Sequence, residues 1–367
     1  MSNPAIARAS AWIIERPTPN RLTTSYGEPP DIRPHVLVEI ASATGASGLG
    51  EASPLPEFTG ETAHGILGVL RETCLDALIG RSAMEIAAIM ADLERLRPGN
   101  PSAMAAIDLA LHDLAGKILD VPTVTLIGGA RRGSVRLARA VGIGPISEIV
   151  ALSRRHVADG FRTIKMKVGI DPRQDVERVR AVREAVGPQV RIRIDANQGY
   201  DVATAIRVLC ELQDSALDYI EQPVPRWDLP GMAQIRRATG MRILADEALH
   251  SPQDALALIR AEAADLFALK CIKTGGLLRA RQIAAIGEAA GIDCVVISTF
   301  ETQIGAAAGL HLAASLPFGH HAHELSVFAT QPEMARTGIR LEGDVLFPAP
   351  SSGHGVESIV EMAQAVR

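Results

Sequence analysis

The sequence predicts an α/β protein, a (β/α)8 TIM-type barrel preceded by an N-terminal α+β capping domain. Three observations carry this expectation. From residue 136 onward, eight short β-like runs recur at a spacing of roughly 25 residues, with alanine-rich helical stretches filling the gaps. Before residue 120 that rhythm is absent, and strand-like alternation gives way to three helical patterns. The runs from the second to the sixth each end in charged residues, and strand ends are where a barrel gathers its functional groups.

Taken in order, residues 9–14 and 35–40 read as strands, with 45–50 as a turn inside a small antiparallel sheet. Apolar residues at three- and four-residue spacing predict helices over 65–78, 83–96 and 102–119. Pro98-Gly99 closes the second of these, and Pro101-Ser102 opens the third. Together they make a capping domain over residues 1–127. The β-like runs 136–143, 163–168, 190–195, 217–221, 242–246, 266–270, 294–298 and 320–325 make a barrel over 128–330. Residues 331–367 return to turn-rich, β-like sequence and are expected to pack back on the capping domain. A doubly wound open sheet is the competing architecture, but no glycine-rich phosphate turn follows any early strand.

Composition narrows the function classes. With 47% hydrophobic and 22% charged residues, the 367-residue chain reads as an ordinary globular protein with room for more than one core. A formal net charge of −5 leaves no broad basic surface for nucleic acid, and no Lys/Arg run exceeds Arg131-Arg132 or Arg154-Arg155. Cys74, Cys210, Cys271 and Cys294 have no paired metal-type spacing and are expected to be reduced core thiols. The apolar run near the N-terminus is too short for a signal peptide. The most apolar run, 304–316, is interrupted by His311 and too short to span a bilayer. A cytoplasmic protein with no membrane partner is expected.

The charged strand ends suggest chemistry. The second run ends in Lys165-Met166-Lys167, the third in Asp195-Ala196-Asn197, the fourth in Glu221-Gln222-Pro223, the fifth in Asp246-Glu247 and the sixth in Lys270. Any single acid here would more simply cap a helix or pair with an arginine. Asp195, Glu221 and Asp246 on neighbouring strands instead repel one another unless a cation sits among them. Hard oxygen ligands without Cys or His favour Mg2+ or Mn2+ over Zn2+. Lys165 and Lys167, two apart on a strand, face the same side. Ammonium groups that close lower the pKa of at least one of them, as a proton-transfer base requires. Lys270 lies across the barrel mouth. The plainer reading has these lysines snorkelling to solvent or holding structural salt bridges. Together, metal and lysines suit the formation of an enediolate beside a carboxylate, so the expected partner is a small-molecule carboxylate substrate.

The ordered set Lys-x-Lys, Asp-x-Asn, Glu-Gln-Pro, Ala-Asp-Glu and Lys270 resembles the muconate-lactonizing subgroup of the enolase superfamily, over nearly the whole chain. The segment 99–116, GNPSAMAAIDLALHDLAG, is similar to the last capping-domain helix of that subgroup. A Lys or His base working with Mg2+ is a known pattern of enolase-superfamily sites. The resemblance implies Asp195, Glu221 and Asp246 as Mg2+ ligands and Lys167 and Lys270 as the catalytic pair, with Lys165 tuning Lys167. It also implies Glu301 near the sixth-strand lysine, and a homo-oligomer. In this family the capping loops and the eighth strand select the substrate, which points to Tyr26 and Phe58, with Asn197, as substrate contacts. Dipeptide epimerases of the subgroup usually carry two aspartates two apart in the eighth strand, and 320–326 has none. His323-Glu324-Leu325-Ser326 and the loop from Phe58 to Glu61 look more like muconate cycloisomerases. The expected reaction is therefore cis,cis-muconate to muconolactone, with His323 and Glu324 near the substrate and protonated histidines receiving its second carboxylate. Racemisation, epimerisation or dehydration of an amino or imino acid would use the same groups and is the alternative. A catalytically silent barrel would leave the complete triad and its flanking lysines without a purpose.

Overall fold

The computed structural model describes residues 4–18, 22–330 and 335–359. Its N-terminal part is an antiparallel sheet of β1 (Ile6–Pro17), β2 (Ile32–Ser42) and β3 (Ser47–Ala52), in that order. The turn is tighter than 45–50. The Ser42 N–H bonds to Ala46 O at 2.8 Å and Gly45 takes φ 91, so the chain is already in strand from Ser47. A Cβ on Gly48 would stand 2.2 Å from Ala110 O, and one on Gly50 would stand 1.9 Å from Ala106 O. Only glycine lets β3 lie this close to the helix Pro101–Leu119.

That helix is buried on every face from Ser102 to Gly116, which explains its apolar composition. Its two acids are anchors. Asp108 accepts the N–H of Leu277 at 2.5 Å, and Asp113 accepts those of Leu49 at 2.8 Å and His354 at 2.7 Å. One helix thus bonds to the capping sheet, the barrel and the C-terminal segment. The helix expected over 83–96 begins at Ile86. The one expected over 65–78 divides into Ala63–Val69, a wide turn Leu70–Cys74 closed by Leu75 N–H to Leu70 O, and a tight turn Asp76–Leu78. The change of pitch keeps Leu70, Cys74 and Leu78 all buried.

The run expected over 136–143 splits into β4 (Val135–Arg136) and β5 (Arg139–Val141). A parallel sheet then runs from β5 through β6 (Thr163–Lys167), β7 (Arg191–Asp195), β8 (Leu217–Glu221), β9 (Ile243–Ala245) and β10 (Leu266–Leu269) to β11 (Asp293–Val296). The eighth position is filled by bridges rather than a full strand. His323 pairs with Leu137 and Glu324 with Ile297, and these close the barrel. Its core is one cluster of buried aliphatics from the strands and the inner faces of the helices. The described C-terminal segment contains β12 (Ala335–Thr337), β13 (Arg340–Glu342), β14 (Val345–Phe347) and β15 (Val356–Ile359). Val356 packs with Ile14 and Leu37 of the capping sheet, whereas β14 pairs with β4 and buries Leu346 in the barrel core.

One cysteine departs from expectation. Cys74, Cys271 and Cys294 are buried thiols, but Cys210 is exposed, because it lies on the outer face of a helix, Val202–Glu211, that buries Ala205, Val208 and Leu209. Among the described residues no helix is long and apolar enough to cross a membrane.

Candidate active site

Parallel pairing brings the charged strand ends level. Lys167 stands opposite Asp195, and Asp195 opposite Glu221. Beyond them the chain must turn sharply. Asn197 and Gln198 take φ 41 and 66, and Gln222 takes φ 35, all in the left-handed region. The Gln222 amide then locks two strand ends together. Its Oε1 accepts the N–H groups of Asp246 and Ala248 at 3.1 and 3.0 Å, while Nε2 donates to Val224 O at 2.9 Å.

Asp195, Glu221 and Asp246 are wholly buried, with lysines above them. The Lys165 Nζ lies 2.9 Å from Asp195, 2.8 Å from Glu221 and 3.0 Å from Glu324. Lys167 Nζ donates to Asp195 Oδ2 at 2.6 Å and to Asn197 Oδ1 at 2.9 Å. On the other side, Lys270 reaches Asp246 Oδ2 at 2.5 Å and Lys273 reaches Asp246 Oδ1 at 2.7 Å. The Phe58 ring, carried by the capping-domain turn Pro56–Thr59, sits 3.9 Å from Lys270 Nζ. Lys165, Lys167 and Lys270 line a cavity of about 150 Å3 together with Asn197, Glu324 and Phe58.

Electrostatics here differ from the sequence expectation of a lowered lysine pKa. Burial works to lower the Lys165 pKa, but Asp195, Glu221 and Glu324 outweigh it and hold the ammonium well above its ordinary range. At Lys270, burial is likewise outweighed by Asp246, Glu247 and Glu221. Lysine charges overcome burial to depress the Asp195 and Asp246 carboxyls. Glu221 goes the other way. Burial and then the adjacent Asp195 push it well above the carboxylate range. Reasoning from the lysine pair alone omitted the carboxylates beneath it.

Tyr26 sits at the cavity rim and donates its hydroxyl to Glu247 Oε1 at 2.7 Å, which ties the capping loop to the end of β9. Glu247 also accepts from Asn197 Nδ2 at 3.1 Å, and its second oxygen is buried without a hydrogen bond. Burial, Asp246 and Asp195 raise this carboxyl to about 7. Glu324 accepts from Lys165 and, at 2.7 Å, from Arg193, a buried cation inside an isoleucine strand.

Two expected contacts lie elsewhere. Glu301 does not line the cavity. It accepts from Ser298 and from the N–H and hydroxyl of Thr299, bracing the loop after β11. Its neighbour Phe300, at φ 67, turns to the cavity instead, with the Arg33 guanidinium 4.3 Å from its ring centroid. His323 is buried at the opposite end of the barrel, where Nδ1 accepts the N–H of Val296 at 3.0 Å. Burial holds the ring neutral, with its pKa lowered to about 3, so it has no charge to offer a substrate carboxylate. His320 and His321 line the same distant face. The sequence reading missed Arg33, Arg193, Gln222, Glu247 and Lys273. Gln222 and Glu247 stood inside quoted motifs, and an arginine between two isoleucines was itself a signal.

Two family models match the chain: mandelate racemase/muconate lactonizing enzyme, N-terminal domain, over residues 13–128, and enolase C-terminal domain-like, over residues 148–361. The chain belongs to the mandelate racemase/muconate lactonizing enzyme family of the enolase superfamily. This family member is 36% identical to the L-Lys-D/L-Arg epimerase of Methylococcus capsulatus over 323 residues, 88% of this chain and 90% of that protein. It is also 36% identical to muconate cycloisomerase 1 of Rhodococcus opacus over 337 residues, 89% of this chain and 88% of that one. The dipeptide epimerase of Enterococcus faecalis V583, solved with Mg and the dipeptide L-Leu-L-Tyr, superposes with a TM-score of 0.92 at 31% identity, covering 96% of this chain and 100% of that one. Like these relatives, the chain is an isomerase of the enolase superfamily.

The donor chemistry in this family member fits a hard divalent cation. Three buried carboxylates stand at adjacent strand ends, and Glu221 Oε2 accepts no hydrogen bond of good geometry, its neighbour being the Lys165 ammonium 2.8 Å away. Among the described residues no three such groups converge on one point. Lysine ammonium groups supply the compensating charge instead.

Proposed function

We propose that this family member is a Mg2+-dependent cycloisomerase of a muconate-type dicarboxylate, converting cis,cis-muconate to muconolactone. The observation that carries the reading is the Arg33 guanidinium beside Phe300 at the cavity, a cation for a second carboxylate, in the same space as Lys167 and Lys270 above the buried carboxylates. Asp195, Glu221 and Asp246 would hold Mg2+, or Mn2+ in its place. When bound, the metal supplies stabilisation for negative charge developing on a substrate carboxylate.

The residues do the rest. Arg33, whose Nε is buried without a partner, orients the second carboxylate against Phe300. An oxygen of that carboxylate adds to the conjugated double bond, and the electron pair moves to the carbon beside the first carboxylate. A lysine ammonium delivers a proton to that carbon and regains one from solvent, so the lactone keeps one free carboxylate and is the isomer of the singly protonated diacid. Lys270, kept charged by Asp246, Glu247 and Glu221 in spite of its burial, is suited to this donation. Lys165 holds Glu221 and Glu324 in place, while Tyr26 and Phe58 cover the cavity.

A second reading is favoured by the lysine on each side. At the α-carbon of an N-acyl amino acid or dipeptide, one lysine would take the proton and the other return it on the opposite face. The test is the ultraviolet absorbance of cis,cis-muconate with the protein and Mg2+. Loss of the diene signal, absent in Lys167→Ala and Lys270→Ala, supports cycloisomerisation. A flat trace with α-proton exchange of N-acyl amino acids or dipeptides in D2O replaces it with the second reading.

A further inference from the structure

Two sequence features play no part in the site above, the Arg131-Arg132 pair and the histidines at 320–323. Arg132 and the histidines meet at the N-terminal face of the barrel, in a cavity of about 550 Å3, while Arg131 pairs with Glu288 outside it. Thr163 and Arg191, which begin β6 and β7, line it, so it lies at the opposite end of the strands from Lys167 and Asp195. Arg132, Arg136, Arg162 and Arg191 all border this space. Asp344 is the one acid among its described lining residues, and Arg136 already holds it at 2.7 Å.

Carbonyls place two of the remaining guanidinium groups, and each of these also feels one acid outside the lining, Asp218 for Arg191 and Asp293 for Arg132. Arg191 donates to His320 O at 2.6 Å, and Arg132 Nη2 donates to Leu316 O at 3.0 Å. Arg132 Nη1 is buried with no hydrogen-bond partner, a condition that costs free energy unless a ligand relieves it. Gly319 keeps the space open, since a Cβ there would come within 2.7 Å of the Arg132 guanidinium carbon. The His323 ring accepts through Nδ1, so its remaining proton is on Nε2 and adds a neutral donor to the wall. A chain of net charge −5 has nevertheless gathered four arginines around one recess.

We propose that this recess binds a phosphate-bearing anion through Arg132, Arg136, Arg162 and Arg191. The guanidinium fork matches phosphoryl oxygens in geometry as well as charge. The cavity exceeds what one phosphate fills and lies in the range of small-ligand sites, which suits diphosphate or a small organic phosphate. The two sources share the phosphoryl group and separate in the test.

The test is calorimetric titration of the full chain, in Mg2+-free buffer at constant ionic strength, with inorganic phosphate, diphosphate and adenosine monophosphate, using chloride as control. Saturable binding that weakens about tenfold or more in Arg132→Gln and Arg191→Gln is expected, the scale of losing one charge-assisted hydrogen bond. Arg162→Gln is the guard against misfolding, because that side chain is exposed, and it should weaken binding while the variant melts like the parent. Tighter binding of adenosine monophosphate than of diphosphate assigns an organic phosphate, and the reverse order assigns the free anion. No saturable heat up to about 10 mM ligand, or binding unchanged in both Arg162→Gln and Arg191→Gln, overturns the proposal.

Discussion

Acidification should destabilise this protein through a histidine that never meets the substrate. His323 is buried, and its Nδ1 must stay unprotonated to accept the Val296 N–H. Burial, with Arg132 and Arg193 nearby, lowers its pKa from 6.5 to about 3 in the folded state. Below the unfolded-state value the unfolded chain takes up a proton that the folded chain refuses, so stability falls as pH drops. Each pH unit in that window is worth about 1.4 kcal/mol. Between pH 8 and pH 5 this one ring therefore costs about 2 kcal/mol, and by pH 3 about 4–5 kcal/mol. His323→Asn keeps an acceptor for the Val296 N–H and removes the proton site. Urea denaturation of the parent and this variant at pH 8 and pH 5 checks it, and the variant should lose about 2 kcal/mol less on acidification. An equal loss in both proteins would refute the reasoning, whatever their absolute stabilities.

Other expectations are more local. Glu221→Gln should weaken Mg2+ binding in a metal titration, and an unchanged titration would remove Glu221 from the ligand set. Tyr26→Phe deletes the hydroxyl that binds Glu247 at 2.7 Å; a cost of about 1–2 kcal/mol should appear mainly as a raised KM with kcat little changed. Gly50→Ala places a methyl 1.9 Å from Ala106 O, and should cost more than about 4 kcal/mol and abolish soluble expression, with normal expression refuting the close approach of β3 to its helix. Lys167→Ala and Lys270→Ala should keep the native circular dichroism while losing turnover.

Much of the site was legible because a parallel barrel carries sequence spacing over into spatial order. Runs of similar length ending in Lys167, Asp195, Glu221 and Asp246 had to finish on one rim, and pairing in register brought the first three level. The eighth position was harder. Two isolated bridges, not an alternating strand, hold residues 323 and 324, so no period-two pattern revealed that Glu324 faces the mouth while His323 lies below. The exchange of Glu301 for Phe300 turned on one left-handed residue, and phenylalanine gives little local warning of that conformation. Arg33 was invisible for another reason. It reaches the cavity from β2 in the capping sheet, and no spacing rule relates that strand to barrel ends far along the chain.

The helix Pro101–Leu119 has a consequence for how the molecule assembles. It is buried on all faces and bonded through Asp108 and Asp113 to three parts of the fold. Its apolar side chains fill mainly the capping core, with Leu109 in the core of the barrel, so the two regions share this helix and are expected to unfold together. Expressed without residues 1–127, the barrel would present to water the surface this helix covers. The loops carrying Tyr26 and Phe58 extend from the same unit to the substrate side, where they meet Glu247 and Lys270.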